Sequence, residues 1–394
     1  MDKKHVLLGI TGGIAAYKSC ELVRLLTKAG HEVTVVMSRA AQEFIHPNTF
    51  QALTGNPVLV DVWGNEAGNG MAHINLTRAA DVFLIAPASA NTLAKIAHGM
   101  ADNLITTLAS ARNCTLAVAP AMNVEMWQNP ANLRNMAQLA DDGVTIFQPE
   151  SGLQACGEVG LGRMPEASTL FEQLAALWTP QTLAGKKIVL TAGATFEPID
   201  PVRGITNISS GKMGMALARA CRDAGADVTL IHGKLETELA PSLAHTVYAP
   251  SADDMFQAVC THIKDAHAFI SVAAVADYKV ANRMDQKFKK QGNQTVPCIE
   301  LTENPDILAF VAKLPQPPFC VGFAAESEHL LTHARAKRAK KGVPLLVANL
   351  VGLAMGADHN QVWLLDDDAE TELPLMSKDE TAQAIIARMS ALLP

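Results

Sequence analysis

The chain repeats one pattern, in which an apolar strand passes through a Gly-rich turn into a helix and then into a second strand. The first copy is HVLLGITGGIAAYKSCELVRLLTKAGHEVTVVMS, residues 5–38. The second begins at residues 186–195 and, after a long polar insertion, resumes at 210–233. Strands that alternate with helices predict parallel sheets. The repeat therefore predicts an α/β protein of two doubly wound domains, residues 1–180 and 185–394.

The Gly-rich turns favour nucleotide binding, because free backbone N–H groups and the helix dipole at a helix start attract phosphate. Gly12 and Gly13 form such a turn, although a tight strand-to-helix turn needs glycine for steric reasons as often. GITGG lacks the spacing of the dinucleotide fingerprint, and the next strand ends in Met37-Ser38-Arg39 without a carboxylate. These Rossmann-like domains are therefore not expected to bind a nicotinamide dinucleotide, whereas a mononucleotide such as FMN remains open.

Composition excludes other classes of protein. A formal charge of −7 argues against a broad surface for nucleic acid or anionic membranes. No apolar run reaches the roughly 18 residues that span a bilayer. The seven cysteines form no CxxC pair and no zinc-type spacing, as is typical of a reducing compartment. We expect a cytoplasmic protein with no nucleic-acid or membrane partner.

Three further segments of the first half carry candidate chemistry. APASANT places Ser89 and Asn91 at a helix start, where they could cap the helix or contact a flavin. PAMN follows another apolar run. ACGEVGLGRM is a Gly-rich segment that contains Cys156, and a thiol in such a loop can serve as a proton donor.

Taken in order, GITGGIAAYK, AHINL, APASANT, PAMN and ACGEVGLGRM resemble the FMN-dependent phosphopantothenoylcysteine decarboxylases over nearly all of residues 5–170. The resemblance implies a flavodoxin-like, flavin-binding first domain. It implies that His73 lies in the region of the catalytic base, that Asn123 holds the substrate carboxylate and that Cys156 donates a proton. The FMN contacts that it implies are Gly12, Gly13, Ser38, Ser89 and Asn91.

A redox cofactor suits this reaction although the substrate is not oxidised overall. A carboxylate of this kind loses CO2 slowly, because the carbanion left behind is not stabilised. Temporary two-electron oxidation of the cysteinyl thiol to a thioaldehyde provides an electron sink. Return of the electrons, with a proton from Cys156, completes the reaction.

The second half contains candidate anion sites. A long polar loop, residues 191–214, carries Asn207 and an SSG turn that could bind an anion. Two basic runs follow, KFKK at 287–290 and RAKRAKK at 335–341. Each run alone is more typical of a solvated loop or an exposed helix face. Together, beside Gly-rich α/β loops, they favour a triphosphate site.

The series TAGAT, RGITNISSGKMG, AAVADY, KFKK, NPDI and VGFAAE resembles the bacterial CTP-using phosphopantothenate–cysteine ligases over about residues 186–365. The resemblance implies an acyl-cytidylate formed with Mg²⁺ and then attacked by the amine of cysteine. Asn207 would orient the acyl group, and Lys287, with Lys289 as the alternative, would neutralise phosphate charge. The residues implied to hold CTP are Asp277, Pro305, Asp306, Ile307, Leu308, Phe323, Lys337 and Lys341. The magnesium ligands are not assigned.

The order of the two halves matches a fused bacterial enzyme of coenzyme A synthesis, whose substrates would be 4'-phosphopantothenate, cysteine and CTP. One alternative is a non-catalytic FMN-binding flavoprotein of the same family, which would be expected to lack Cys156 or the ligase half. A second alternative, a peptide-modifying cysteine decarboxylase, would not need the ligase half. The resemblance implies a homo-oligomer, with a trimer through the first domain, a dimer through the second and an assembly as large as a dodecamer.

Overall fold

A computed structural model describes residues 3–60, 72–240, 243, 245–287, 298–350 and 358–393, without the side chains of Ala72 and His73. The chain forms two compact units, which meet in sequence between Leu174 and Ala175. This division lies just before the polar segment 179–187 that separates the two copies of the repeat.

The first unit alternates strands with helices. Its strands are β1 (His5–Ile10), β2 (Glu32–Met37), β3 (Val82–Ala88), β4 (Thr115–Pro120), β5 (Thr145–Ile146), β6 (Glu150–Leu153) and β7 (Val159–Arg163). Its helices are α1 (Ala16–Lys28), α2 (Arg39–Gln42), α3 (Pro47–Thr54), α4 (Ala72–Ala79), α5 (Ala90–Ala97), α6 (Leu104–Ala111), α7 (Val124–Gln128), α8 (Pro130–Asp141) and α9 (Ala167–Trp178). The division between the units falls inside α9.

Strands β1 to β5 form a parallel sheet in the order β2-β1-β3-β4-β5. Val6 of β1 pairs with Val33 on one side and with Val82 on the other. This strand order is flavodoxin-like, so the predicted fold of the first domain is confirmed. The order reverses between β1 and β3, and sheets of this kind bind ligands at that point. Strands β6 and β7 pair separately as an antiparallel hairpin.

The core of the first unit lies on both faces of this sheet. Leu7 of β1 and Phe83 of β3 are fully buried, as expected for parallel strands covered by helices. Leu22 and Leu26 of α1 recur at helical spacing and are also fully buried, which contributes about 1.5–3 kcal/mol each. Gly30 follows this helix with φ +86°, the left-handed conformation in which helices commonly end at glycine.

The second unit has more strands. They are β8 (Lys187–Ala192), β9 (Phe196–Pro198), β10 (Gly204–Thr206), β11 (Asp227–His232), β12 (His245–Tyr248), β13 (Ala268–Ser271), β14 (Tyr278–Val280), β15 (Leu301–Glu303), β16 (Phe319–Glu326), β17 (Leu345–Leu350), β18 (His359–Asn360), β19 (Val362–Leu365), β20 (Glu370–Glu372) and β21 (Met376–Ser377). Its helices are α10 (Lys212–Asp223), α11 (Ala252–His262), α12 (Ile307–Ala312), α13 (Leu330–Lys341) and α14 (Lys378–Leu392). None of the described helices of either unit is both long and apolar enough to cross a lipid bilayer.

The main sheet of the second unit has the order β12-β11-β8-β13-β16-β17-β19-β20. Its first six strands are parallel, and counted along the chain from β8 they follow the Rossmann order 3-2-1-4-5-6. Strands β19 and β20 extend the sheet in antiparallel pairing. The Rossmann-like fold predicted for this half is confirmed, and its order reverses between β8 and β13.

Helix α10 begins at the end of the polar insertion and lies very close to β8. A Cβ atom at Gly214 would be only 2.5 Å from the Cβ of Ala192, so glycine permits this approach. The insertion itself contains the antiparallel pair of β9 and β10. Close packing of α10 against β8 therefore fixes where the polar insertion ends. The insertion ends at Gly211, which has φ +74° and directly precedes α10.

The antiparallel edge of this sheet carries a buried ion pair. Asp366, with its side chain 2% exposed, accepts hydrogen bonds from Nε and Nη2 of Arg388, each at 2.8 Å. The backbone N–H groups of Asp368 and Ala369 also donate to this carboxylate. The hydrogen bonds from Arg388 are the main reason that the pKa of Asp366 is lowered to about 2.

We expect the stability of the second unit to fall as the pH drops from the ordinary Asp value of 3.8 towards about 2. Because the folded-state pKa of Asp366 is depressed, its contribution is present above the unfolded-state pKa and is lost as the pH falls through the folded-state pKa. Asp366→Asn should remove this part of the pH dependence, measured by urea unfolding. Asp265→Asn, at an exposed carboxylate, is the control. A pH profile for Asp366→Asn that matches wild type would contradict the assignment.

Candidate functional site

The first site is organised by Thr11, which follows β1 at the point where the strand order reverses. Its hydroxyl donates to the carbonyl oxygen of Pro87 at 2.7 Å and accepts from the backbone N–H of Ser89 at 2.8 Å. Thr11 is buried. It therefore ties the turn after β1 to the turn after β3, where a doubly wound sheet of this order binds a mononucleotide.

Gly12 and Gly13 follow Thr11 and are glycines for different reasons. A Cβ atom at Gly12 would lie 2.6 Å from the Cβ of Ala40, so this position is restricted by packing. At Gly13 no heavy atom of the described chain lies within 4 Å of the same position, and Gly13 lines an open cleft. The backbone at Gly13 can thus be approached closely by a ligand.

The other predicted flavin residues lie at the same edge of the sheet. Ser38 caps α2, and Ser89 caps α5 by accepting a hydrogen bond from the backbone N–H of Thr92 at 3.4 Å. Asn91 is exposed in the first turn of α5. The start of α5 thus presents polar groups beside Gly13, and these residues together fit a mononucleotide.

A cleft of about 400 Å³ opens next to these turns. It is lined by the start of α1, the turn 121–123 and the β6–β7 hairpin. Lys18 of α1 is 6% exposed and donates to the carbonyl oxygen of Met164 and to Glu166, each at 2.7 Å. This buried lysine anchors the end of the hairpin to α1.

Asn123 and Cys156, predicted from separate motifs, are brought together in this cleft. Oδ1 of Asn123 caps α7 by accepting from the backbone N–H of Met126 at 3.0 Å. Its Nδ2 donates to Oε2 of Glu158 at 2.6 Å, and Sγ of Cys156 lies 3.4 Å from the same oxygen. Sequence reasoning did not single out Glu158, although it lies within ACGEVGLGRM.

The hairpin is held on the Asn123 turn by two close contacts. Gln154 accepts from the backbone N–H of Val124 at 3.0 Å and donates to the carbonyl oxygen of Leu161 at 3.1 Å. Gly162 has φ +133°, and a Cβ atom there would collide with the carbonyl oxygen of Met122. Glycine at this position therefore lets the loop that carries Cys156 lie against the PAMN turn.

His73 is the one residue of the first site whose side chain lies outside the described residues. Its backbone belongs to α4. Its predicted role near the catalytic base therefore stays a prediction.

The second site is a cleft of about 420 Å³ at the carboxyl ends of β13 and β16. It brings together the AAVADY segment (273–278), the turn 304–308, β16 and helix α13. The lining includes Asp277, Pro305, Asp306, Ile307, Leu308, Phe323, Lys337 and Lys341, which are the residues implied to hold CTP within the described part of the chain. Lys289 lies outside the described residues.

Charge in this cleft is arranged around α13. Lys341 forms an ion pair with Asp306, which also caps α12 by accepting from the backbone N–H of Ala309 at 3.0 Å. Burial opposes ionisation of Asp306, but the hydrogen bonds from Lys341 and Ala309 outweigh it and lower the pKa of this carboxyl. Burial lowers the pKa of the Lys337 ammonium. Lys340 also lines the cleft, so three lysines face one small volume.

Asn304 is a cleft residue that sequence reasoning missed, although it opens the NPDI segment. Its Nδ2 donates to the carbonyl oxygen of Ala276 at 2.9 Å. Its backbone N–H donates to the carbonyl oxygen of Asp277. Its Oδ1 is buried and has no hydrogen-bond partner in the described part of the chain. A buried acceptor of this kind needs a donor, which a bound ligand can supply.

Asn207 and Lys287 are not among the described residues that line the second cleft. Nδ2 of Asn207 donates to the carbonyl oxygens of Ala274 and Val275, at 3.2 and 3.1 Å, and Val275 lines the cleft. Lys287 is exposed, and it is not among the described residues that line this cleft. Within the described ranges, no group of three or more His, Cys, Asp or Glu side chains could hold a metal ion.

Comparison with known proteins assigns both halves. The family model "Flavoprotein" matches residues 1–179, and "DNA/pantothenate metabolism flavoprotein C-terminal domain" matches residues 183–393. The coenzyme A biosynthesis bifunctional protein CoaBC of Vibrio parahaemolyticus is 44% identical, over 99% of this chain and 98% of its own length. The chain belongs to the CoaBC family. The CoaBC protein of Mycobacterium bovis is 42% identical, over 97% of this chain and 94% of its own length.

Solved structures resemble each half of this CoaBC family member separately. The C-terminal domain of a CoaBC protein is 35% identical and covers 54% of this chain and 98% of its own, with a TM-score of 0.47. A PPC decarboxylase mutant complexed with pantothenoylaminoethenethiol is 36% identical and covers 45% of this chain and 98% of its own, with a TM-score of 0.41. The membership predicted from the motifs is confirmed by the nearly full-length CoaBC relatives.

We expect Gly162→Ala to destabilise the first unit by about 2–3 kcal/mol, because the new methyl group meets the Met122 carbonyl oxygen. Gly157→Ala is the matched control. It lies in the same hairpin, also has positive φ, and has open space around a Cβ atom. It should cost only the backbone strain, about 1 kcal/mol. Thermal unfolding and proteolysis of the hairpin measure both. Equal losses in the two variants would show that the contact with Met122 is unimportant.

Proposed function

We propose that this chain is a bifunctional enzyme of coenzyme A biosynthesis. The second domain, residues 185–394, ligates cysteine to 4'-phosphopantothenate with CTP through an acyl-cytidylate. The first domain, residues 1–180, decarboxylates the 4'-phosphopantothenoylcysteine product on FMN to give 4'-phosphopantetheine. The observation that carries this proposal is the CoaBC relationship over nearly the whole chain.

In the first domain, Gly12, Gly13, Ser38, Ser89 and Asn91 would hold FMN at the reversal point of the sheet. FMN, when bound, supplies a reversible two-electron oxidation and reduction. The Asn123 amide is oriented by its cap on α7, so Nδ2 rather than Oδ1 is the group that would bind the substrate carboxylate. Cys156 lies in the same cleft and would deliver a proton to the decarboxylated intermediate.

We expect Cys156→Ser to separate the two reactions. With 4'-phosphopantothenate, cysteine, CTP and Mg²⁺, the variant should release CMP normally and CO2 only to about one equivalent per bound FMN. It should form 4'-phosphopantetheine at least about 100-fold more slowly, because the proton donor is lost and the electrons are not returned to the product. Mass spectrometry of the products measures this. Cys298→Ser, at another exposed cysteine, should behave as wild type.

Two results would contradict the proposal in different ways. Normal 4'-phosphopantetheine formation by Cys156→Ser would remove Cys156 from its role. If wild type releases no CMP and also leaves added 4'-phosphopantothenoylcysteine unchanged, the non-catalytic FMN-binding flavoprotein becomes the better account.

In the second domain, the lysines of α13 would neutralise the triphosphate of CTP in the second cleft. Lys337 and Lys341 both line the 420 Å³ cleft. The unpaired Oδ1 of Asn304 would accept from a hydroxyl or amino donor of the nucleotide. Asn207 would orient the activated acyl group, and Lys287 or Lys289 would approach the phosphates.

Mg²⁺ would bind in this cleft together with the phosphates of CTP. Mg²⁺ usually keeps several waters and binds through substrate phosphates with one or two carboxylates. A dedicated cage of three or more acidic side chains is therefore not needed, in agreement with the described residues. The carboxylates that line the cleft are those of Asp277, Glu303 and Asp306.

We expect Lys337→Met to raise the KM for CTP about tenfold, equivalent to about 1.4 kcal/mol of lost binding, while its apolar stem keeps the packing. Lys313→Met, at an exposed lysine that follows α12, is the control for one lost positive charge. Pyrophosphate release at varied CTP concentration measures the effect. Equal KM values in the two variants would place the triphosphate elsewhere.

The remaining parts of the proposal concern assembly and location. We place the protein in the cytoplasm, which agrees with its seven free cysteines. A homo-oligomer, trimeric through the first domain and dimeric through the second, is proposed from the family resemblance. Retention of both Cys156 and the second cleft argues against a non-catalytic or peptide-modifying relative.

A further inference from the structure

Glu158 makes the closest polar contact to the two reactive side chains of the first cleft. Its Oε2 accepts from Nδ2 of Asn123 at 2.6 Å and lies 3.4 Å from Sγ of Cys156. The orientation of the Asn123 amide is not arbitrary, because its Oδ1 accepts from the start of α7. Nδ2, the side-chain atom with which Asn123 can bind a carboxylate, is therefore already in contact with one.

The carboxylate of Glu158 thus lies where the proposed decarboxylase would place the carboxylate of its substrate. Two carboxylates within hydrogen-bond distance of one amide nitrogen repel each other strongly when both are ionised. This repulsion favours loss of the Glu158 contact when a substrate carboxylate binds at Asn123. Binding of a ligand without a carboxylate meets no such repulsion.

Glu158 is free to leave because of its position in the hairpin. It is exposed in the turn between β6 and β7, where its backbone carbonyl oxygen accepts from the N–H of Gln154 at 2.8 Å. Gly157 beside it has open space around a Cβ atom. The side chain can therefore rotate into water while the turn keeps its backbone hydrogen bond, and an exposed polar contact of this kind is weak.

We propose that Glu158 is a positioning residue that occupies the Asn123 amide in the free enzyme and is displaced from it by the carboxylate of the substrate. It keeps Asn123 aligned before binding, and the exchange brings the substrate carboxylate next to Cys156. This inference rests on the proposed decarboxylase function. It adds a residue that decides how tightly carboxylated and decarboxylated ligands bind.

The test uses two unreactive ligands that differ only in the carboxylate. The first is 4'-phosphopantothenoylalanine, which has no thiol and cannot be oxidised. The second is its decarboxylated counterpart, the ethylamide of 4'-phosphopantothenate. Each is titrated into the full-length, FMN-loaded enzyme, and the change in flavin absorbance gives Kd without any turnover. Wild type is compared with Glu158→Gln, Glu158→Ala and Glu158→Asp.

We expect Glu158→Gln and Glu158→Ala to lower the Kd of the alanine ligand about three- to tenfold, because no negative charge competes for Asn123. The Kd of the ethylamide should change by less than about twofold. Glu158→Asp should stay close to wild type. Glu125→Gln, which removes one exposed charge from the first turn of α7, is the control for general electrostatics.

Three results would overturn the inference: unchanged or weaker binding of the alanine ligand to both neutral variants, an equal change for both ligands, or the same tightening in Glu125→Gln. An equal change would mean that the hairpin had only become looser. FMN content and the thermal midpoint show whether each variant is folded. Wild-type turnover of 4'-phosphopantothenoylcysteine is measured separately, so failure of the decarboxylase function is distinguished from failure of the role of Glu158.

Discussion

The hydrogen bonds of Thr11 fix the geometry on which the first site depends. A parallel sheet brings strand ends to one edge, but it does not set the distance between the turns that follow β1 and β3. The Thr11 hydroxyl sets that distance by bonding to both turns at once. Because Thr11 is buried, water cannot replace these bonds. The open backbone at Gly13, the start of α5 and the adjoining cleft are all located relative to this one side chain.

Much of the fold follows from the sequence, because its signals are local. The repeated strand, turn and helix predict two parallel sheets, and in both copies a glycine with positive φ follows the helix, Gly30 in the first and Gly225 in the second. The cleft residues of the second domain could be assembled from a series of motifs, since strand ends of one sheet converge. The contact of Glu158 with Asn123 could not be predicted, because it depends on how a separate hairpin docks on the PAMN turn. The unpaired Oδ1 of Asn304 is equally invisible in sequence, since Asn304 is also an ordinary turn residue.

The two clefts solve the problem of binding anions in an acidic protein differently. The second cleft concentrates lysines of α13, and the Asp306 carboxylate holds Lys341 in place. In the first cleft the buried lysine, Lys18, is already paired with Glu166 and a carbonyl oxygen. Arg163, which also lines the first cleft, pairs with the same Glu166 carboxylate. Three lysines therefore line the second cleft, whereas the cations of the first cleft share one acidic partner.

The two sheets begin with the same motif and differ in how many strands lie outside their reversal point. Among the described strands, the first sheet has β2 beyond β1, with an isolated bridge from Leu59 on its outer side, whereas the second has β11 and β12 beyond β8. In both, the chain then crosses to the opposite side of the first strand. The turns after β1 and β3 meet at that crossing in the first sheet, whereas the second cleft lies one strand further on, at the ends of β13 and β16. The two sheets therefore differ at their outer margin and share the arrangement of strands on either side of the reversal point. A domain of this type can add a strand at that margin while the strands beside the reversal point keep their order.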